Sequence, residues 1–132
     1  MKIITILARI VFGLILAMPV VGALNVFPAP TADLYTNEQA YNFIIAMMNV
    51  GYITAIMGVV CAIAVGLIIT NRMALASLLV LPITVNIVAF HAVIDGGLFT
   101  AGAVMGNVLL LLNIFFLWQN RARYTSLLAK SN

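Results

Sequence analysis

Four runs of about twenty apolar residues each, separated by short polar stretches, restrict this chain more than any other feature. A helix needs about 20 apolar residues to cross a hydrocarbon core about 30 Å thick. Lipid offers the backbone no hydrogen-bond partners, so a segment inside it must be helical or part of a closed barrel. The runs cover residues 3–24, 43–70, 73–94 and 98–118. Only 7% of the residues are charged and 65% are hydrophobic, whereas soluble domains carry about 25% charged residues. Too few polar side chains are present to clothe a water-facing surface. The chain therefore reads as all-α, an integral membrane four-helix bundle. Residues 1–132 form one transmembrane domain, with an outer loop at 25–42 and a cytoplasmic tail at 119–132. The lipid bilayer is its first partner, and no nucleic acid is expected.

The first run could be mistaken for a signal peptide, but Arg9 interrupts it and its length suits a retained span. In the loop that follows, Pro28 and Pro30 break regular structure. Thr36-Asn37-Glu38-Gln39 has the form of a capping box and predicts a helix start near Asn37. In the second run, Gly51, Ala55, Gly58, Ala62 and Gly66 recur at spacings of four and three. Small residues on one face let membrane helices approach closely, which predicts an internal seam. Gly102 and Gly106 form a second such face, expected to serve a partner chain. Lys2, Arg72, Arg121, Arg123 and Lys130 fall on one side of a four-span arrangement, and Asp33, Glu38 and Asp95 on the other. The excess of basic residues in cytoplasmic loops then puts both termini in the cytoplasm.

The candidate chemistry concentrates in the third run, which holds the chain's single histidine. At about 100° per residue, Thr84, His91 and Asp95 share one helical face, while Asn86 points to roughly the opposite side. Polar groups within a span are functional candidates by default. His91 and Asp95, four residues apart, suit a proton-handling pair or a hydrogen-bonding contact to a ligand. They equally suit a helix end at which Asp95 caps and His91 is satisfied within the bundle. A small cavity is predicted, bounded by His91, Asp95 and Asn86 or Thr84, with Asn49 and Tyr52 of the second run nearby. Arg9 lies well inside the first run. It either binds an anionic or carbonyl oxygen or snorkels to the cytoplasmic surface on its long stem. The lone Cys61 excludes an intrachain disulfide and a cysteine-based metal site. No metal motif, phosphate loop or catalytic triad is recognisable.

The stretch Leu78-Leu79-Val80-Leu81-Pro82-Ile83-Thr84-Val85-Asn86-Ile87-Val88-Ala89-Phe90-His91 resembles the DoxX-like family of small bacterial membrane proteins. Arg9, Gly13 and Gly22, followed by Phe27 and Pro28, are similar to that family's first span. Gly51-Tyr52 and Gly66 are similar to its second, and Arg121-x-Arg123-Tyr124 to its end. Two departures stand out. Cys61 lies near where the family often has a glutamate, and Asn25-Val26 near where it often has a lysine. The resemblance implies a four-helix bundle in a bacterial inner membrane and, for some relatives, redox chemistry coupled to quinone.

Three functions follow as expectations. The first is a non-catalytic subunit or assembly partner of a larger, redox-related membrane complex, bound to other membrane subunits. The second is a quinone-linked oxidoreductase subunit with His91, Asp95 and Asn86 around the pocket. The third, a small transporter, would need inverted repeats or broken helices.

Overall fold

The computed structural model describes residues 2–130 and is all-helical, with no strand among the described residues. Five α-helices follow one another: α1 (Lys2–Ala23), α2 (Glu38–Val50), α3 (Tyr52–Ile69), α4 (Met73–Val93) and α5 (Ala103–Gln119). Short 3-10 turns lie at Ala32–Leu34 and Arg121–Arg123. Helices α1, α3 and α4 are long and apolar enough to cross a membrane, and α5 is apolar but only 17 residues long.

The second apolar run is not one helix, as its composition predicted, but two. Gly51 takes a φ of +79°, a left-handed conformation that costs glycine little. Its N–H still donates to Met47 O (3.3 Å), closing α2 as a helix-terminating glycine does. Thr54 Oγ1 donates to Gly51 O (2.7 Å) inside the first turn of α3. The chain therefore changes direction at Gly51, and α2 stands apart from the long helices.

The other four helices touch in a cycle: α1 on α3, α3 on α4, α4 on α5 and α5 on α1. Neighbours run antiparallel. Gly13 of α1 lies near Ile68 of α3, and Gly58 backs onto Pro19 and Ala23. On α5, Gly102 meets His91 of α4 and Gly106 meets Ile87. The rings of Phe12 and Phe116 sit 5.4 Å apart where α1 meets α5. They join Leu16, Cys61, Ala64, Ala76 and Val80 in a fully buried core.

The small-residue stripe needs correcting. Of its five members only Gly58 is buried, because a Cβ there would fall 2.5 Å from that of Ala23. Ala55, Ala62 and Gly66 face outward, and Gly51 is the break itself. The inward row of α3 is Gly58, Cys61, Ala64 and Ile68, set by the apolar bulk that fills the core. Nor do Gly102 and Gly106 form one free face, since Gly106 is buried against Ile87 of α4 while Gly102 is exposed just before α5 begins.

At the end formed by Asn71 and the C-terminal tail, polar side chains tie helices together. Asn113 Nδ2 donates to Ser77 O (3.1 Å), and the Tyr124 hydroxyl donates to Ala74 O (2.9 Å) and lies 3.1 Å from Ser77 Oγ. Arg9 donates through Nη1 to Asn71 Oδ1.

Candidate functional site

The site lies at the opposite end, where α4 stops. Phe90 O accepts the N–H groups of Ile94 (2.9 Å) and Asp95 (3.1 Å), and His91 O accepts that of Gly97 (2.8 Å). Gly96 (φ +82°) and Gly97 (φ +110°) then turn the chain in a way other residues would resist. The turn is also crowded, since a Cβ on Gly96 would lie 2.6 Å from Thr36 Cγ2. That contact exists because the segment before α2 folds down onto the end of α4.

Three hydrogen bonds hold it there. The Thr36 N–H donates to Asp95 Oδ1 (2.8 Å), Thr36 Oγ1 donates to Asp95 O (2.9 Å) and Asn37 Nδ2 donates to Ile94 O (2.7 Å). Asn37 Oδ1 meanwhile accepts the Ala40 N–H (2.9 Å). The α2 cap is thus Asn37 and not Thr36, whose hydroxyl is committed to Asp95. The two positions exchange the roles that the capping-box pattern predicted.

Asp95 is 1% exposed, and its second oxygen Oδ2 lies 2.8 Å from His91 Nδ1. A carboxylate accepting at both oxygens places the imidazole proton on Nδ1, which leaves Nε2 with a lone pair when the ring is neutral. Nε2 makes no hydrogen bond among the described residues. It lies on the ring edge that runs along α5, between Cε1, 3.4 Å from an ideal Cβ on Gly102, and Cδ2, 3.6 Å from one on Gly106. The tight approach on this side is that of Gly106 to Ile87, whose Cγ2 a Cβ would meet at 2.9 Å.

Beside the pair is a cavity of about 360 Å³. Tyr35, Phe43 and Met47 close it from the loop and α2, Ile53 and Met57 from α3, and Asn86, Ile87, Phe90 and His91 from α4. Phe90 organises the aromatic wall. Its ring stacks on Phe43 (5.7 Å), takes the edge of Tyr35 (6.4 Å) and meets His91 edge-on (5.0 Å). Burial first, then the negative charge of Asp95, pushes the Tyr35 phenol above its usual value of 10.0. A smaller hollow of about 210 Å³ lies between α1, α4 and α5, and shares Pro19, Ile87, His91 and Gly102 with the first. The imidazole therefore stands where the two spaces join.

Of the residues singled out in the sequence, His91, Asp95 and Asn86 come together here. Thr84 does not. It shares their helical face but lies seven residues from His91, about 10 Å deeper. There it is fully buried and its hydroxyl donates to Leu81 O (3.0 Å). Asn49 and Tyr52 are exposed and do not line the cavity, but their neighbours Met47 and Ile53 do. Arg9 is at the far end of the molecule, since antiparallel packing sets the start of α1 beside Asn71. Sequence reasoning missed Thr36, which latches Asp95, and the wall of Tyr35, Phe43 and Phe90. Among the described residues, no group of three or more His, Cys, Asp or Glu could hold a metal ion.

Comparison with protein-family models, curated proteins and solved structures finds no match for this chain.

Proposed function

We propose that the chain is an integral membrane protein, a four-span bundle of α1, α3, α4 and α5, and that it serves as the ligand-binding subunit of a membrane complex. Its ligand is a small lipophilic molecule held beside His91. The DoxX-like resemblance supplies the setting: a bacterial inner membrane, with both termini cytoplasmic and the cavity toward the outer side. The arrangement of charges supports that orientation. Lys2, Arg72, Arg121 and Arg123 gather at one end, and Asp33, Glu38 and Asp95 at the other.

One observation carries the reading. A buried carboxylate fixes the tautomer of a histidine whose ring borders a largely apolar cavity lined by three aromatic residues, and whose other nitrogen has no hydrogen-bond partner among the described residues. Cavities of this composition, with a few converging polar groups, are what small-molecule sites look like. Gly106, which could have served a partner helix, is instead taken up by close packing on Ile87 of α4, which weakens the case for a purely scaffolding role. Quinone is the ligand class that the family resemblance suggests. The residues fit its reduced form, since a neutral His91 would accept a quinol hydroxyl at Nε2, whereas a quinone carbonyl would require the ring to be protonated.

The test is purification from native membranes under mild conditions, with mass spectrometry of copurifying lipophilic molecules and protein partners. A stoichiometric lipophile that is lost in His91→Leu and kept in His91→Gln supports the reading. A stable His91→Leu protein with unchanged copurifying lipids and partners would overturn it.

A further inference from the structure

The cavity beside His91 does not end at Asn86. A second hollow of about 570 Å³ follows the seam between α3 and α4, bordered by Ile56 and Val60 on one side and Leu79, Pro82 and Ile83 on the other. It shares Ile53, Met57, Asn86 and Ile87 with the first, so the two adjoin along the α3–α4 seam. From Ile53 to Val60 the groove follows α3 for about 10 Å. Its polarity is graded. His91, Asp95 and Asn86 mark one end, and every residue beyond Asn86 is apolar.

Charge restricts what the polar end can receive. No lysine or arginine lines it, so an anionic phosphate would meet Asp95 with no counter-ion. Asp95 is 1% exposed and each of its oxygens already has a partner, the Thr36 N–H and His91, so an ammonium group has little access to it. What remains is the Nε2 lone pair of His91, on the ring edge beside Gly102, a residue that lines the same cavity, and it calls for a donor.

We infer that the groove takes a neutral amphiphile, with a hydroxyl-bearing head donating to His91 Nε2 and an apolar chain lying between α3 and α4 past Pro82. This deepens the ligand-binding reading above and rests on it. The α3–α4 segment is a chain subsite, distinct from the head subsite. Lipid tails compete for the same surface, so affinity comes from van der Waals fit to the groove and from the single hydrogen bond at its end.

Three probes separate the parts: para-decylphenol, para-cresol, which has the head without the chain, and the methyl ether of para-decylphenol, which has the chain without the donor. Binding is measured on the full chain in nanodiscs and read against empty nanodiscs. Ile56→Trp fills the groove without touching the head cavity, and Ile63→Trp, equally exposed on α3 but outside the groove, is the control. The expected result is that Ile56→Trp weakens para-decylphenol about tenfold, whereas Ile63→Trp does not. Para-cresol binding should be unaffected by either variant, and the methyl ether should bind about tenfold more weakly than the phenol. If para-decylphenol requires His91 but ignores Ile56→Trp, the chain subsite is wrong and the ligand-binding reading stands. If the methyl ether binds as well as the phenol, the donor head is wrong. If no probe shows saturable binding that His91→Leu removes, both readings fail together.

Discussion

At the end that holds Asn71 and the tail, polar side chains finish on neighbouring backbone carbonyls, and the space between helices is filled by Phe12, Ile68, Met73 and Phe116. At the end that holds Asp95, the same kinds of side chain bind a loop and leave a cavity between them. The two ends share helices and composition but differ in what the hydrogen bonds secure. In the first they lock helix to helix. In the second they fasten α2 and its leading loop to the end of α4, through the buried Asp95 carboxylate and the carbonyls of Ile94 and Asp95. Only Ala40 of α2 is buried, so little apolar packing reinforces that attachment. Stability should therefore concentrate at the first end and recognition at the second.

Four substitutions bear on this division. The largest effect is expected at the filled end. Phe116→Ala removes a fully buried ring that packs on Phe12. Because lipid weakens the hydrophobic part of the loss, the cost should fall near the lower end of the soluble-core range of about 3–5 kcal/mol. A fall in thermal midpoint in detergent would register it, and an unchanged midpoint would break the comparison. Next comes Gly58→Leu, which forces α3 away from Ala23 and Pro19. Overpacking of this kind costs about 1–3 kcal/mol or more, and the same thermal measurement reads it.

Asp95→Ala sharpens the contrast. It leaves the Thr36 N–H without its acceptor and His91 Nδ1 without its partner, which should cost about 1–3 kcal/mol. Amide exchange should accelerate across residues 25–50 while staying slow around Ser77 and Asn113. Uniform acceleration along the chain would show that the two ends are not separable. The smallest effect concerns Tyr35. Its folded value is raised, so the folded chain holds the phenolic proton more tightly than the unfolded chain does. The corresponding stability is complete below pH 10 and is lost as pH rises through the folded value. Tyr35→Phe cannot ionise, and its thermal midpoint should decline less than the parent's above pH 10.

The ends also differ in how far the sequence revealed them. Helix existence and the turns at Asn71 and Asp95 could be read from apolar run length and polar punctuation. So could the neighbourhood of His91 and Asp95, which a spacing of four residues guarantees on any helix. The break at Gly51 was obscured because a glycine every few residues also reads as a packing stripe. The pattern of Gly51 with Thr54 behind it was a helix-stop signal that the stripe masked. Thr84 illustrates a second limit. Angular position on a helix says nothing about depth, and about 10 Å of rise removed it from the cavity. The Thr36–Asp95 latch joins residues 59 apart, a pairing that no local pattern encodes.

The unequal lengths of the helices carry a consequence for the surrounding lipid. Helix α1, with 22 residues, measures about 33 Å, and α4, with 21, about 31 Å, whereas α3 and α5, with 18 and 17, reach only about 27 and 25 Å. In a bilayer with a core about 30 Å thick, acyl chains beside α1 and α4 can stand at full height, while those beside α3 and α5 must compress or let headgroups sink. Such mismatch costs a fraction of a kcal/mol per ångström, so the annulus around the protein is uneven. The low stretch falls along α3, where the groove opens between Ile56 and Pro82. In the proposed membrane setting, a chain leaving strained lipid there would relieve the compression as it entered, so the bilayer itself would favour loading the proposed site from the side.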